Sequence, residues 1–277
     1  MTDEQPELLQ QGRYRVRGVL GRGSQAETLW AEDTTNQTQV AIKRFQVRGA
    51  KSWKDVELAE REASVLSRLN HPNLPRYVEH FEHDGALYLV MQKIDGPTLA
   101  DLRARGALDQ ALVERFLRDL GDTLSYLHGL APPIVHRDIK PQNVILRADG
   151  GFSLVDFGSV REKLRPEGGS TVVGTFGYMA PEQFQGRAGP GTDVYGAGAT
   201  ALACLTGQDP EQLPHRGLSI DVAAALDGQF DPRWVELLGR LVEPDPRSPS
   251  PLAAAGAREH ARPPSSQPAA LQRSRAE

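Results

Sequence analysis

Two short segments of this chain hold residue types suited to proton transfer and metal binding. The first is His136-Arg137-Asp138-Ile139-Lys140-Pro141-Gln142-Asn143, and the second, Asp156-Phe157-Gly158, begins eighteen residues after Asp138. A carboxylate can accept a proton, and carboxylate and amide oxygens suit hard cations such as Mg²⁺. Both kinds of chemistry are therefore open to these segments.

Four further features occur in a fixed order along the chain. Gly21-Arg22-Gly23 follows a predicted strand, Val40-Ala41-Ile42-Lys43 forms another strand, Glu62 lies on the next helix, and Ala180-Pro181-Glu182 comes last. Each is weak alone, because a Gly-rich turn is usually only a turn and an isolated charge is usually solvated. Together with the two segments, they resemble the signature set of protein-kinase catalytic domains over residues 14–250.

The resemblance implies a role for each charged residue. Phosphoryl transfer spreads negative charge over the phosphoryl oxygens, so catalysis depends on positioning and electrostatic stabilisation. By resemblance, Lys43 contacts the α- and β-phosphates of ATP and Glu62 holds Lys43 in place. Asp156 and Asn143 would bind Mg²⁺, with Mn²⁺ as an alternative ion. Asp138 would be the catalytic base that orients the attacking hydroxyl.

Two positions indicate the class of hydroxyl. In the family's Ser/Thr enzymes, a lysine stands two residues after the base, as Lys140 does here. Thr175 matches the threonine that joins Asp138 and Lys140 in those enzymes. The resemblance therefore predicts a Ser/Thr protein kinase with a protein substrate.

A nucleotide slot is also implied by the resemblance. An apolar slot with a few backbone polar groups suits a planar base. The expected members are Leu20, Gly21, Gly23, Ala26, Thr28, Ala41, Lys43, Met91, Gln92, Ile94 and Ile145. Ala26, Thr28 and Gln92 depart from the family's usual glycine, valine and acidic residue. None of these changes removes a charge from the reaction, so we expect activity to be kept and the Ala26 loop to be less mobile.

Regulation is expected in the segment before Thr175. By resemblance, Arg137 would face a phosphorylated residue there, because an arginine–phosphate pair can order a loop. Ser170 and Thr171 are the candidates, and we expect autophosphorylation in a transient homodimer, with Thr171 as the favoured site.

Other residues of the motifs are expected to be architectural. His136 would pack beneath Phe157, and Asp193 would hydrogen-bond the backbone of the His136–Asn143 segment. Glu182 would form a structural ion pair, with Arg247 as the proposed partner. The short Gly- and Pro-containing stretch at residues 206–234 predicts a reduced or absent substrate-docking helix.

The elements that position these residues follow from sequence periodicity. Strands are predicted at residues 14–20, 26–31, 38–45 and 87–90. One helix is predicted at residues 53–69, and it places Glu62 and Leu66 on its inner face. After Asp95-Gly96-Pro97 helices predominate, with Asp109 as a candidate N-cap and residues 193–205 as a buried helix.

These elements predict an α+β, bilobal protein-kinase fold. The small N-lobe has an antiparallel sheet with one helix, and the larger C-lobe is mainly helical. We expect an N-terminal extension at residues 1–12 and the domain at residues 13–258. The domain divides into an N-lobe at 13–91, a hinge at 92–95 and a C-lobe at 96–258. Residues 259–277 are rich in Ala, Pro, Ser and Arg, and we expect a disordered tail there.

Composition excludes several other classes of protein. The net charge of −4, with 39% hydrophobic and 25% charged residues, is that of a globular protein without a basic nucleic-acid-binding stripe. Cys204 is the one cysteine and lies in an apolar run, so it is expected to be a buried hydrophobe rather than a disulfide partner. No membrane span is predicted, and the expected location is the cytoplasm.

Two alternative functions remain open on the sequence. A pseudokinase would bind nucleotide or a partner without catalysis, although Lys43, Glu62, Asp138, Asn143 and Asp156 are all present. A small-molecule kinase of related fold would share the Asp and Asn of the catalytic segment. The substrate, the activating signal, the oligomeric state and the role of the tail stay undetermined by the sequence.

Overall fold

The first lobe is built on a six-stranded antiparallel sheet. The computed structural model describes residues 7–23, 26–46, 52–162 and 175–244. The strands, in sheet order β1-β2-β3-β4-β6-β5, are β1 (Leu8–Leu9), β2 (Tyr14–Arg22), β3 (Ala26–Asp33), β4 (Thr38–Gln46), β6 (Ala86–Gln92) and β5 (Tyr77–His83). Helix α1 (Ser52–Leu66) follows β4 and packs against β4, β5 and β6.

The register of this sheet brings several predicted nucleotide residues to one face. Thr28 pairs with Lys43 between β3 and β4, and Ala41 pairs with Met91 between β4 and β6. Directly opposed residues share a face, as do residues two apart on one strand. Thr28, Ala41, Lys43 and Met91 therefore lie on the same side of the sheet.

The first lobe differs from the sequence prediction in the end of α1 and in two strands, the two-residue β1 (Leu8–Leu9) and β5. The helix ends at Leu66 rather than at residue 69, because the chain tightens into turns in which Leu69 N bonds Leu66 O at 3.1 Å. The strand β5 (Tyr77–His83) was not predicted. It lies at the sheet edge and fully buries only Phe81, so its polar residues hide the usual strand pattern.

The second lobe is mainly helical, as predicted. Its helices are α2 (Leu99–Arg103), α3 (Gln110–Gly129), α4 (Pro181–Phe184), α5 (Pro190–Thr206), α6 (Val222–Leu226) and α7 (Pro232–Leu241). Short strand pairs join β7 (Ile134–Val135) to β10 (Arg161–Glu162), β8 (Val144–Leu146) to β9 (Phe152–Leu154), and β11 (His215–Arg216) to β12 (Ser219–Ile220). Residues 206–234 hold only the short helix α6, a 3₁₀ turn (Pro210–Gln212) and the β11–β12 hairpin before α7 begins.

Helices α3 and α5 form the core of this lobe. The predicted N-cap is confirmed, because Asp109 Oδ1 accepts a hydrogen bond from Leu112 N at 2.9 Å. The predicted buried helix is also confirmed, since α5 is buried from Thr192 to Leu205. Cys204 has no exposed surface, and burial raises the pKa of its thiol to about 12. The cysteine is therefore a packing residue, as expected.

Gly198 is the point of closest approach between α5 and the end of α7. A Cβ on Gly198 would lie 2.7 Å from Leu241 Cβ and 2.8 Å from Val242 Cγ1. Overpacking a core costs about 1–3 kcal/mol, so Gly198→Ala should lower the free energy of unfolding in urea by about that amount.

The matched control for this substitution is Gly239→Ala on α7. A Cβ there meets nothing within 4 Å, and alanine in a helix is favoured over glycine by roughly 0.5–1 kcal/mol. Gly239→Ala should therefore leave stability unchanged or raise it. A stability for Gly198→Ala equal to that of Gly239→Ala would contradict the close packing of α5 on α7.

The predicted α+β, two-lobed arrangement is confirmed by these elements. A sheet with one helix forms the first lobe, and helices with short strand pairs form the second. No helix within the described residues is both long enough and apolar enough to cross a membrane. The predicted boundaries at residues 13, 92–95 and 258 stay predictions.

Candidate active site

One lysine of the first lobe meets two carboxylates in the cleft between the lobes. Lys43 Nζ on β4 donates hydrogen bonds to both carboxylate oxygens of Glu62 on α1, at 2.9 and 2.8 Å. It also lies 2.6 Å from Asp156 Oδ1. Glu62 is 2% exposed and the side chain of Asp156 is 46% exposed. The lysine is thus clamped by a buried carboxylate and reaches one that is open to the cleft.

The charges of this group reinforce each other. Burial would lower the pKa of Lys43, but the Glu62 and Asp156 carboxylates raise it overall. The cleft environment would raise the pKa of Asp156, but the Lys43 ammonium lowers it to about 2. Burial raises the pKa of Glu62 against the opposing effect of Lys43. Near neutral pH the cleft therefore presents an ammonium and an ionised Asp156.

A second group centres on Asp138. Thr175 Oγ1 donates to Asp138 Oδ1 at 3.0 Å, and Lys140 Nζ donates to Thr175 Oγ1 at 2.7 Å. Lys140 Nζ also lies 2.9 Å from Asp138 Oδ2. The predicted contact of Thr175 with both Asp138 and Lys140 is therefore present. The hydrogen bonds hold a carboxylate and an ammonium side by side where a substrate hydroxyl could be bound.

Asn143 ties the predicted metal site to Asp138. Its Nδ2 donates to Asp138 O at 2.8 Å and to Asp138 Oδ2 at 3.2 Å. These bonds fix the amide, so a cation would be bound by its other end, Oδ1. The short 3₁₀ turn Pro141–Asn143 supplies this geometry between Lys140 and β8.

The donor set fits a divalent cation that is shared with phosphate. Within the described residues, no cluster of three or more His, Cys, Asp or Glu side chains could hold a metal alone. Mg²⁺ is commonly held by one or two protein oxygens together with substrate phosphates and water. Asp156, which stays ionised, and the amide oxygen of Asn143 match that pattern.

Asp193 supports the backbone at the start of the segment His136–Asn143. Its buried carboxylate accepts hydrogen bonds from His136 N at 2.9 Å and Arg137 N at 2.7 Å, which confirms the expected backbone contacts. His128 Nε2 on α3 lies 2.8 Å from the same carboxylate. Gln183 Nε2 on α4 donates to Arg137 O at 2.9 Å. His128 and Gln183 were missed by sequence reasoning, because nothing in the local pattern marks either residue.

The backbone at both motifs adopts a conformation that few side chains accept. Arg137 has φ 71° and Asp156 has φ 67°, and such left-handed non-glycine residues are uncommon and concentrate at functional sites. The expected packing of His136 beneath Phe157 is confirmed by ring centroids 5.0 Å apart at 74°. These supports hold the two motifs against each other.

Gly158 must lack a side chain for Lys43 to reach its partners. A Cβ on Gly158 would lie 2.8 Å from Lys43 Nζ and 3.3 Å from both Asp156 Oδ1 and Glu62 Oε2. Because ordinary contacts are longer, any other residue would push the lysine away from the two carboxylates. The lack of room for a side chain beside Lys43 Nζ thus explains the glycine of this motif.

The residues predicted to bind nucleotide come from both lobes, and their place around a nucleotide stays a prediction. Ala41 and Met91 are buried, while Leu20 on β2 is 51% exposed. Gly21 pairs with Thr28, and Gly23 N bonds Ala26 O at 2.8 Å across the loop between β2 and β3. From the second lobe, Ile145 on β8 forms a β-bridge with Thr98 just beyond the hinge. The loop tip at residues 24–25 lies outside the described residues.

The predicted hinge at residues 92–95 has fewer free backbone hydrogen-bonding groups than the sequence suggests. Gln92 N donates to Arg76 O at 2.8 Å, so at this residue only the carbonyl can face a base. Ile94 lies two residues further along and is partly buried. The backbone groups left to hydrogen-bond a base are therefore the Gln92 carbonyl and the N–H and carbonyl of Ile94.

The regulatory prediction falls partly outside the described residues. Arg137 is 6% exposed, whereas Ser170, Thr171, Arg247 and residues 259–277 are among those that the structure does not describe. Autophosphorylation, the Glu182–Arg247 pair and the disordered tail therefore stay predictions.

Comparison with known proteins agrees with this geometry. The family model described as "Protein kinase domain" matches residues 14–236. The chain is 35% identical over 260 residues to serine/threonine-protein kinase PknA of Nostoc sp., covering 87% of this chain and 45% of that protein. It is 38% identical over 225 residues to serine/threonine-protein kinase C of Synechocystis sp., covering 75% and 42%.

A mycobacterial relative gives the same result. Serine/threonine-protein kinase PknE of Mycobacterium tuberculosis is 35% identical over 238 residues, which cover 84% of this chain and 41% of that protein. The chain thus spans less than half the length of each of these three curated relatives. Because the family model covers more than half of the chain, and its motifs meet in one cleft, the chain belongs to the protein kinase family.

Proposed function

We propose that this chain is a Ser/Thr protein kinase that transfers the γ-phosphoryl group of ATP to protein hydroxyls. The observation that carries the proposal is the hydrogen-bonded set of Asp138, Lys140 and Thr175. In this set, the Asp138 carboxylate can accept the proton of a substrate hydroxyl, and the Lys140 ammonium can stabilise the phosphoryl group. Three relatives of this chain are named Ser/Thr-protein kinases, which supports the same substrate class.

In this proposal, each residue acts through charge and position. Lys43, held by Glu62, binds the α- and β-phosphates, and Asp156 and Asn143 hold a divalent ion. That ion, when bound, neutralises charge on the phosphates. Asp138 orients the substrate hydroxyl and takes its proton, while Lys140 stabilises the phosphoryl group during transfer. We propose Mg²⁺ as the natural ion, and transfer rates measured with Mg²⁺ and Mn²⁺ would decide between them.

Transfer of labelled γ-phosphate from MgATP tests the proposal directly. The acceptors are the protein itself and a generic basic protein, followed by phosphoamino-acid analysis. Label on serine or threonine supports the proposed function. Binding of ATP without transfer would favour the pseudokinase alternative, and transfer only to an aminoglycoside or choline would favour a small-molecule kinase.

Thr175 provides a prediction specific to the Ser/Thr reading. Thr175→Val keeps the shape but removes the hydroxyl that joins Asp138 and Lys140. Loss of hydrogen bonds to charged groups should lower kcat by about 10- to 100-fold, whereas Thr175→Ser should retain most of the activity. Steady-state kinetics of both variants on the same protein substrate measure this. Equal activity for the valine and serine variants would contradict a role for the hydroxyl.

Regulation is proposed on the resemblance, and location on the single cysteine and the lack of a predicted membrane span. We propose that Thr171 or Ser170 is autophosphorylated in a transient homodimer and pairs with Arg137, and that the chain acts in the cytoplasm on protein substrates. Peptide mapping after incubation with MgATP should find phosphate on one of the two residues. Mapping that finds neither residue modified, in a preparation that transfers phosphate to substrate, would remove the regulatory proposal.

A further inference from the structure

Arg103, the last residue of α2, closes a three-membered polar cluster beside the catalytic segment. Its Nη1 donates to Tyr178 Oη at 3.0 Å and its Nη2 donates to Asp209 Oδ1 at 2.6 Å. Tyr178 Oη in turn donates to the same Asp209 oxygen at 3.1 Å. Each member thus contacts the other two, and the side chain of Arg103 is only 15% exposed.

The charge state of the cluster favours this geometry. The Arg103 guanidinium holds the pKa of Asp209 below its usual range. Burial raises the pKa of Tyr178, with the Asp209 carboxylate adding to the effect. The tyrosine therefore stays a neutral hydroxyl between a cation and an anion, and its hydrogen bonds are of the stronger, charge-assisted kind.

Tyr178 belongs to the turn that carries Thr175. Tyr178 N donates to Thr175 O at 3.1 Å, which closes the turn. At its centre, Gly177 has φ +84° and lies against Pro210, the residue after Asp209. Thr175 at the start of the turn is bonded to Asp138 and Lys140. A constraint on the tyrosine is thus transmitted over three residues to the proposed base.

Helix α2 is itself anchored at its other end. Thr98 caps the helix through a reciprocal pair of hydrogen bonds with Asp101 and forms a β-bridge with Ile145. Leu146 N donates to Pro97 O at 2.9 Å. Arg103 therefore projects from an element fixed to β8, and it can hold the turn rather than follow it.

We propose that Arg103 is a positioning residue for the protein substrate, which it serves by holding the turn Thr175–Tyr178 in register with Asp138. This inference rests on the proposed kinase function. The turn also carries Phe176, which is 69% exposed and directly follows Thr175, the hydrogen-bond partner of Asp138. Loss of Arg103 loosens the turn and weakens productive binding of protein, without touching the nucleotide residues.

Hydrogen exchange and kinetics on Arg103→Met test this proposal. Methionine keeps the aliphatic stem and removes the donors, so the amide of Tyr178 should exchange about tenfold faster. The kcat/KM for a protein substrate should fall about tenfold while the KM for ATP stays unchanged. Arg103→Lys keeps the charge but can bond only one partner at a time. Its exchange rate and kcat/KM should therefore lie between those of the wild type and Arg103→Met. Arg105→Met, an exposed position two residues further on, is the matched control.

The exchange measurement separates failure of this inference from failure of the proposed function. Unchanged exchange of the Tyr178 amide in Arg103→Met overturns the positioning role, whatever the activity of the protein. Faster exchange with unchanged kcat/KM for protein overturns its link to the substrate. If the Tyr178 amide exchanges faster in Arg103→Met but the wild type transfers no phosphate, Arg103 does hold the turn Thr175–Tyr178 and the proposed kinase function is rejected. If Arg103→Met does not fold, Tyr178→Phe removes the same hydroxyl contact and carries the same expectations.

Discussion

Asp138→Asn is expected to reduce phosphoryl transfer by about 10²- to 10⁴-fold, the usual contribution of a positioned base. Asparagine has nearly the same shape and can still accept the Thr175 hydrogen bond through Oδ1. It cannot take a proton from the substrate hydroxyl at neutral pH. The substitution therefore removes the proton acceptor and keeps the Thr175 contact, while its amide nitrogen replaces the oxygen that faces Lys140 Nζ and Asn143 Nδ2.

The measurement is single-turnover transfer of labelled γ-phosphate, with nucleotide affinity determined in parallel. Affinity for ATP should stay within about twofold, because the base acts on the acceptor and not on the nucleotide. Asp84→Asn is the matched control, since Asp84 lies in the β5–β6 turn with its side chain 89% exposed. Transfer by Asp138→Asn at the wild-type rate would show that the base has been assigned wrongly.

Lys43→Met is expected to abolish most of the activity and also to destabilise the protein. The lysine is the ammonium that joins Glu62 to Asp156, and loss of one group that stabilises charge in a transition state typically costs about 10²- to 10³-fold in kcat. The variant also leaves Glu62, which is 2% exposed, without its cation. Breaking a buried pair in this way costs about 3–5 kcal/mol of stability.

The stability loss should depend on pH in a defined direction. Burial already raises the pKa of Glu62 above its ordinary value of 4.5, and Lys43 opposes that rise. Without Lys43 the folded-state pKa rises further, so the unfolded chain releases the Glu62 proton more readily than the folded one. The part of the penalty that comes from the Glu62 charge is then absent below pH 4.5 and grows as the pH rises above it. Urea unfolding at pH 5 and pH 7.5 should show the larger deficit at pH 7.5.

The double variant Lys43→Met/Glu62→Gln separates the two effects. A neutral amide in place of the buried carboxylate should restore much of the stability and remove its pH dependence. Activity should stay low, because the ammonium is still missing. A double variant that regains transfer would mean that Lys43 serves only to neutralise Glu62. If Lys43→Met lost the same amount of stability relative to the wild type at both pH values, the buried Lys43–Glu62 pair would be contradicted.

Much of the fold and of the candidate site could be predicted from local sequence. By resemblance to protein kinases, the order of Lys43, Glu62, Asp138, Asn143 and Asp156 indicated one phosphoryl-transfer site. The structure joins Lys43 to Glu62 and Asp156, and Asn143 to Asp138. Helix α3 was predictable from Asp109 and the apolar stripe that follows it, because capping and 3.6-residue periodicity are local. Strand β5 was not predictable, because an edge strand can carry polar residues on most of its length.

The tertiary structure revealed several side-chain contacts that neither periodicity nor the resemblance had predicted. Lys43 and Asp156 lie 113 residues apart, and no periodicity predicts that they meet at 2.6 Å. The contact of His128 with Asp193 and the cluster of Arg103, Tyr178 and Asp209 likewise join separate elements. The sequence by itself determined which charged and polar groups are available for the proposed chemistry, since residue types and their order set them. The packing of distant elements determined how those charges are held, because side-chain contacts depend on how helices and strands far apart in sequence come together.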